Sequence, residues 1–368
     1  MALMMRRFLF MALLPFLLPV PGLGASFDRL NALPGFEVAA FAQVPGARSM
    51  AVADGLGVVF VGTRGSRVYA VEFRPGAPSA DKVSVIRRNL KVANGIAWKD
   101  GQLFVAEQHR VVRFSGASLE ALARAPTEII AEGLPDKRHH GWRYAKFGPD
   151  GSLYVTIGAP CNVCEVKGLE GTIIRLSPEG WKPEIFASGI RNSVGLDFHP
   201  KSGELFFTDN GADQMGDDLP PDELNHVPRA GLHFGYPWFG GGTDRTPAFR
   251  TTKPPLGARF PAVSFGAHVA ALGVHFYRGS MFPGDFANDA FVAQHGSWNR
   301  SIPDGYRVVR VRFDGAGNAI GFEPFIEGWL IGGKAWGRPV DVAELADGSL
   351  LVSDDALGTI WRVIYKKP

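Results

Sequence analysis

Two adjacent histidines, His139 and His140, stand in the stretch RHHGWR, directly ahead of FGPDGSLYV. Imidazole is the side chain best suited to take a proton near neutral pH, so the pair is a candidate general base. An isolated pair would equally serve as a loop cap and a solvated ring. Arg191 and Asn192, in GIRNSVG, set a permanent cation beside an amide. That combination suits a developing oxyanion or a carboxylate, or a plain rim salt bridge. The segment FFTDNGADQMGDDLPPDELN carries Asp209, Asp213, Asp217, Asp218, Asp222 and Glu223 in what reads as a Gly-Pro loop. Carboxylates and main-chain carbonyls on irregular backbone suit Ca2+, although the spacing is not that of an EF-hand, and a solvated acidic loop is the alternative. HGSWNRSIPDGYRVVR adds His295, Trp298 and Arg300, and WGRPVDV adds Trp336 and Arg338. Aromatic faces and arginines around one cavity would hold a flat, anionic cofactor, while Trp298 could also wedge neighbouring repeats apart.

These residues need a scaffold that brings distant segments together. Paired β-runs with Gly-containing turns recur from Leu56, Asn94, Trp142, Ser193, Ala271 and Arg338. Each is a short run, a turn such as PDGS or ADGS, a second run and usually a third. Six such units predict an all-β, six-bladed β-propeller, because one small twisted sheet cannot bury its own faces. GFEVAAFAQ, from Gly35, is placed to add a strand to the last repeat and close the ring. ASLEALARA is the one short helical candidate. The long stretch between the fourth and fifth units reads as a functional insertion. RHH, GIRNSVG and WGRPVDV each precede the first strand of a unit, so all three belong on one rim.

The bulk numbers agree with this. The chain has 368 residues, 46% hydrophobic and 20% charged, with 46 Gly and 27 Pro, which favours a β-rich globular protein. Residues 1–25 read as a secretory signal, with Arg6 and Arg7, then FLFMALLPFLLPV, then small residues, cleaved after Gly24 or Ala25. Pro15 and Pro19 interrupt the apolar run and argue against a retained anchor. The expected mature chain is residues 26–368, one domain, periplasmic or secreted, without stable membrane insertion. Without Arg6 and Arg7 the 39 basic residues become 37, against 36 acidic ones, and nothing in that balance suggests nucleic acid. Cys161 and Cys164 predict a local disulfide in an oxidising compartment. Glu165 stands where a c-type haem site needs His, and two cysteines are too few for an ordinary structural zinc site.

Taken together, HHGWRYAKFGPDGSLYVTIG, GIRNSVGLDFHPKSGELFFTDNGAD, PDELNHV with GLHFGYPWF, AQHGSWNRSIPDGYRVVRV and GRPVDVAELADGSLLVSDD resemble the soluble pyrroloquinoline quinone (PQQ) dependent sugar dehydrogenases, in their sorbosone and aldose sugar dehydrogenase branch. The motifs span most of the chain in the family's order. The resemblance implies a six-bladed propeller with PQQ over the central channel and Ca2+ beside it. It implies that His140 is the general base, that Asp222 orients it, and that Arg191 and Asn192 contact the quinone carbonyl region. Backbone oxygens at Asn210, Gly211 and Ala212 would face the Ca2+, with Glu223 as a further metal ligand. Trp298, Arg300 and Arg338 would contact the cofactor, Arg338 through a carboxylate. His139 falls to the pocket wall. The implied reaction oxidises an aldose or sugar aldehyde to the lactone or acid, with an external electron acceptor such as a quinone or cytochrome. The family's glucose-oxidising members carry a second arginine two positions after the one matched by Arg338, where this chain has Val340. Two other readings stay open on the residues alone: a Ca2+-dependent lactonase or esterase propeller, and an exported propeller that only binds glycans or protein.

Overall fold

Apolar runs such as VVFV (Val58–Val61) and LYVTI (Leu153–Ile157) are buried along their whole length. Strands with both faces covered occupy the middle of a layered structure, and here the layers are blades. The computed structural model describes residues 29–366 and forms a six-bladed β-propeller. Each blade has four antiparallel strands at its core. The innermost strands are Met50–Ala53, Gly95–Lys99, Ala145–Phe147, Leu196–Phe198, Ala271–Phe276 and Pro339–Glu344. The expected helix is present as Leu119–Arg124, capped by the Ser118 hydroxyl, which accepts from the Ala121 N–H. No helix among the described residues is long and apolar enough to cross a membrane. The signal-like stretch lies outside the described residues.

The ring closes as expected from the sequence. Phe36–Gln43 pairs antiparallel with Thr359–Tyr365, with Phe36 opposite Tyr365 and Gln43 opposite Thr359. The sixth blade is therefore made from both ends of the chain. Cores of interdigitated side chains fill the wedges between blades, for example Phe282, Phe291, Phe325, Trp329 and Trp361 between the fifth and sixth. Across the channel, Asp341 of the sixth blade accepts from the Met50 N–H at 2.8 Å and from the Tyr144 hydroxyl at 3.1 Å, tying three inner segments together.

Two expectations are corrected. The unit read as starting at Leu56 has a further inner strand, Met50–Ala53, ahead of it. The acidic stretch read as a loop is partly blade: PDELNHV forms Pro221–Val227, the third strand of the fourth blade, with Asp209 opposite Glu223. Pro221 sits at that strand's first position, where the missing N–H costs no ladder bond.

Candidate active site

His140 is placed by an unusual local backbone. Its φ is +49°, in the left-handed region, and the loop folds tightly against the end of the Leu153–Ile157 strand. The close approach requires Gly158, where a Cβ would stand 2.4 Å from the His140 Cβ. The His140 ring is 7% exposed, and its Nδ1 lies 2.9 Å from the Ala159 carbonyl oxygen. A carbonyl only accepts, so Nδ1 carries the proton and Nε2 presents the lone pair. Burial, then the positive charge of Arg191 and then His139, holds the imidazole well below its ordinary pKa. At neutral pH the ring is therefore an uncharged base. His139 is exposed and stacks obliquely on it, with ring centroids 4.0 Å apart.

Arg191 is 3% exposed and nearly saturated. Its Nε donates to the Asn162 main-chain oxygen (3.0 Å), Nη1 to the Asn210 oxygen (3.1 Å), and Nη2 to Asn162 Oδ1 (2.8 Å) and Asp213 Oδ2 (2.6 Å). Guanidinium has five N–H donors, so one on Nη1 remains uncommitted. Below it, the Asp209 carboxylate accepts from the main-chain N–H groups of Arg191 (2.8 Å) and Asn192 (2.6 Å) and fixes the Arg-Asn turn. Asn192 Nδ2 donates to Asn210 Oδ1, while Asn192 Oδ1 is buried with no partner.

Both segments open on one cavity of about 670 Å3 at the channel mouth. Its wall includes His139, His140, Arg191, Asn192, Asn210, Gly211, Asp222, Trp298 and Arg338, so the structure gathers most of the sequence-predicted residues. Trp142 and Leu272 are apolar parts of its wall, and they pack against the buried Val194 and Val340 behind them. Val340, at the position where the glucose-oxidising relatives carry arginine, is buried behind that wall. Arg338 Nε and Nη2 donate to the carbonyls of His295 (3.0 Å) and Gly296 (2.5 Å), and among the described residues no carboxylate is paired with it. Trp298 is 68% exposed on the rim, so it is a face offered to the cavity and does not wedge blades apart.

Three expected placements differ. Asp222 does not hold His140. Its two oxygens accept from the N–H groups of Gly211 (2.7 Å) and Ala271 (3.2 Å), and the orienting bond on His140 comes from Ala159. Asp222 is a brace between the fourth and fifth blades, and burial pushes its carboxyl up to about 6. Arg300 is not in the cavity wall. It clamps the Asp217 and Ala267 carbonyls and its own Ile302 carbonyl. Glu223 lies behind the wall with Asp209, in a small crevice that also reaches Gly211, Tyr236 and Gly240. Its oxygens accept from Gly242 N–H (2.5 Å) and Asn225 Nδ2 (2.7 Å). Burial raises both carboxyls, and the Asp209 charge raises Glu223 further.

Sequence reasoning missed Arg64, Asn162 and Asp355. Arg64 enters the cavity from the first blade with its guanidinium 4.5 Å from the Trp142 ring centre. Burial, then the charges of Arg48 and Arg338, brings it to about 10. Asp355 bridges Arg48 Nη1 (2.6 Å) and His295 Nε2 (2.8 Å). Asn162 lies inside the disulfide formed by Cys161 and Cys164, which is present as expected, and that loop was the available signal.

The donors suit PQQ. Among the described residues Arg64 and Arg338 form no ion pair, which fits a polycarboxylate, and the unpartnered Asn192 Oδ1 fits a ligand N–H or a cation. Among the described residues no group of three or more His, Cys, Asp or Glu could hold a metal. A Ca2+ here would depend on main-chain oxygens such as those of Gly211 and Ala212, to which no N–H of another described residue is bonded.

Comparison with known proteins gives the class. The glucose/sorbosone dehydrogenase family matches residues 105–362, and the chain belongs to that family. That family is one of sugar-oxidising dehydrogenases, and the chain is an oxidoreductase of that family. A protein of Borreliella burgdorferi, described only as uncharacterized, is 35% identical over 325 residues, covering 84% of each chain. Three solved structures share the fold. The calcium structure of a Trichoderma reesei carbohydrate-active enzyme of family AA12 has a TM-score of 0.79 at 18% identity, covering 93% of this chain and 98% of that one. The holo PQQ domain of pyranose dehydrogenase from Coprinopsis cinerea has 0.76 at 18%, covering 91% and 97%. The apo soluble aldose sugar dehydrogenase of Escherichia coli has 0.65 at 17%, covering 90% and 100%.

Proposed function

We propose that this protein is an exported, PQQ- and Ca2+-dependent dehydrogenase that oxidises an aldose or a sorbosone-like sugar aldehyde to the lactone or acid. The observation that carries the reading is His140, a neutral imidazole with Nδ1–H committed to Ala159 and Nε2 left as a base in a cavity ringed by arginines. When bound, PQQ supplies the hydride acceptor and Ca2+ the Lewis acid that polarises it.

Each residue then has a defined task. His140 Nε2 takes the proton from the anomeric hydroxyl, or from the hydrate of an aldehyde, as hydride leaves the same carbon. The two together remove two electrons and two hydrogens from the sugar. The spare Nη1 N–H of Arg191 offers a hydrogen bond to an oxygen gaining negative charge, and the contacts of Arg191 with Asn162, Asn210 and Asp213 aim it in advance. Arg338 and Arg64 bind carboxylates. Trp142 and Trp298 offer aromatic faces to a planar ring system. The open mouth admits an external electron acceptor.

The lactonase alternative would rest on metal-binding side chains deep in the axis. It would not need the Arg191–Asn192 and Trp298–Arg338 sets that line the cavity, and their presence there favours the dehydrogenase. The test is to add PQQ with Ca2+ to the purified protein and follow dye reduction across a panel of aldoses and sugar aldehydes. Reduction with at least one sugar, dependent on PQQ, is expected. Absence of both PQQ binding and reduction would remove the reading.

A further inference from the structure

A second opening adjoins the active cavity. It is a groove of about 530 Å3 that shares Arg64 with the cavity and is lined also by Pro45, Ser66, Arg67 and Tyr69, between the first and sixth blades. Its charges do not balance. Arg64 and Arg67 have no acidic partner among the described residues. Arg48 forms the inner wall at 1% exposure, with Nη1 on Asp355 and Nε on Asn94 Oδ1 (2.7 Å), while its Nη2 is buried without an acceptor. Asp355 is the one carboxylate lining the groove, and it is already shared between Arg48 and His295. Burial brings His295 to about 4, so it is neutral at working pH and adds no charge. Three guanidinium groups therefore face one carboxylate, and with Arg64 given to a cofactor carboxylate Arg48 and Arg67 still do.

We propose that this groove is an anion subsite for the substrate, so that the preferred sugar is an acidic one, carrying a carboxylate such as that of a uronic acid at the end of the chain away from the oxidised carbon. Arginine pairs with carboxylates in a planar fork, and a buried arginine nitrogen without an acceptor marks a wall shaped for one. The position of the groove supports the assignment to substrate. It meets the cavity at Arg64 and does not include His140, so a sugar with its reducing end at His140 would reach it with its far end. The inference rests on the dehydrogenase reading for which end of the sugar enters the cavity, and only for that.

The same chemistry could come from a cofactor carboxylate, and the test separates the two. Calorimetry on the PQQ- and Ca2+-treated protein would compare 4-O-β-glucuronosyl-glucose with cellobiose, both reduced to alditols so that no oxidation takes place. The acidic probe is expected to bind about tenfold tighter, with the preference shrinking as salt is raised. Arg67→Glu should abolish the preference, Arg67→Lys should keep most of it, and PQQ binding followed by fluorescence should be unchanged in both. Equal binding of the two probes, or an Arg67→Glu variant whose loss is in PQQ affinity, would overturn the subsite. Binding is read without turnover, so a protein that oxidises no sugar yet prefers the acidic probe would sink the dehydrogenase reading and leave the subsite standing.

Discussion

Asn162 holds Arg191 with both of its oxygens, the main-chain oxygen on Nε at 3.0 Å and Oδ1 on Nη2 at 2.8 Å. The same Oδ1 accepts from the Asp213 N–H, and Asn162 Nδ2 donates to the Asp213 carbonyl. A four-residue disulfide loop on the third blade thus aims an arginine on the fourth. The disulfide limits the freedom of Asn162, so the direction of Arg191 is set before any ligand arrives.

Asn162→Ala is therefore expected to lower PQQ affinity and kcat without unfolding the blades. Losing a charge-assisted bond of this kind costs about 1.5–3 kcal/mol, or roughly tenfold to a hundredfold. Reduction of the Cys161–Cys164 bond should move the same quantities in the same direction by less. Titration of PQQ into each form, with far-UV circular dichroism as the folding control, checks this. Unchanged affinity and rate in Asn162→Ala would show that Arg191 is held well enough by Asp213 and Asn210 alone.

His140→Ala should lose roughly 10²–10⁴ in kcat, the usual contribution of a general base, while PQQ still binds. The imidazole is held below its ordinary pKa of about 6.5 by burial, Arg191 and His139. The base form is therefore present at lower pH than usual, and the acid limb of kcat/KM should lie below pH 6.5. His139→Ala removes one of the charges that lower it and should shift that limb upward. A limb at or above 6.5 in the unmodified protein would contradict a buried, neutral base.

Asp209 and Glu223 set the behaviour of stability with pH. Both carboxyls are raised, by burial first and for Glu223 by Asp209 next. A raised carboxyl binds its proton more tightly in the folded chain, so its contribution is full below the unfolded pKa and is lost as pH rises through the folded value. His140 and His295, both lowered, act in the opposite sense, but only below about pH 6.5. Between about pH 6.5 and 8.5 the metal-free protein should therefore lose Tm as pH rises. Ca2+ held by main-chain oxygens at Gly211, which borders the same crevice, would offset the lost protons and flatten the slope, as would Asp209→Asn with Glu223→Gln. Thermal melts across that range, with Ca2+ or a chelator, test this; a flat metal-free profile counts against it.

The fold was largely legible because each blade repeats a turn and a mainly apolar, almost wholly buried second strand, as in Val58–Val61 and Leu153–Ile157. Met50–Ala53 was hidden because it is short and half-buried at its middle positions. Fourth strands such as Lys82–Arg87, which lies at the edge of its blade, are only partly buried, so they lack the apolar signature. In the site, His140, Arg191 and Arg338 were readable because they directly precede inner strands and so share a rim. Arg64 precedes the third strand of the first blade (Val68–Glu72), so the rule that found the others passed over it. The partners of Asp222 were not readable either, since Ala271 is 49 positions away and the contact exists only once two blades meet.

That contact yields the last prediction. Asp222 accepts from the N–H groups of Gly211 and Ala271 and makes no bond to His140. Asp222→Ala leaves two buried N–H groups without an acceptor, at about 1–3 kcal/mol each, partly offset by relief from burying the carboxylate. A net loss of about 2–4 kcal/mol is expected. The Gly211 turn should loosen with it, weakening Ca2+ and PQQ binding together. If Asp222 acted instead by orienting the base, its removal would shift the acid limb of kcat/KM that belongs to His140. The structure gives that task to the Ala159 carbonyl, so in Asp222→Ala and Asp222→Asn the limb should stay in place while Tm and cofactor affinity fall, the asparagine variant less than the alanine. A displaced limb with unchanged Tm would restore Asp222 to the catalytic pair.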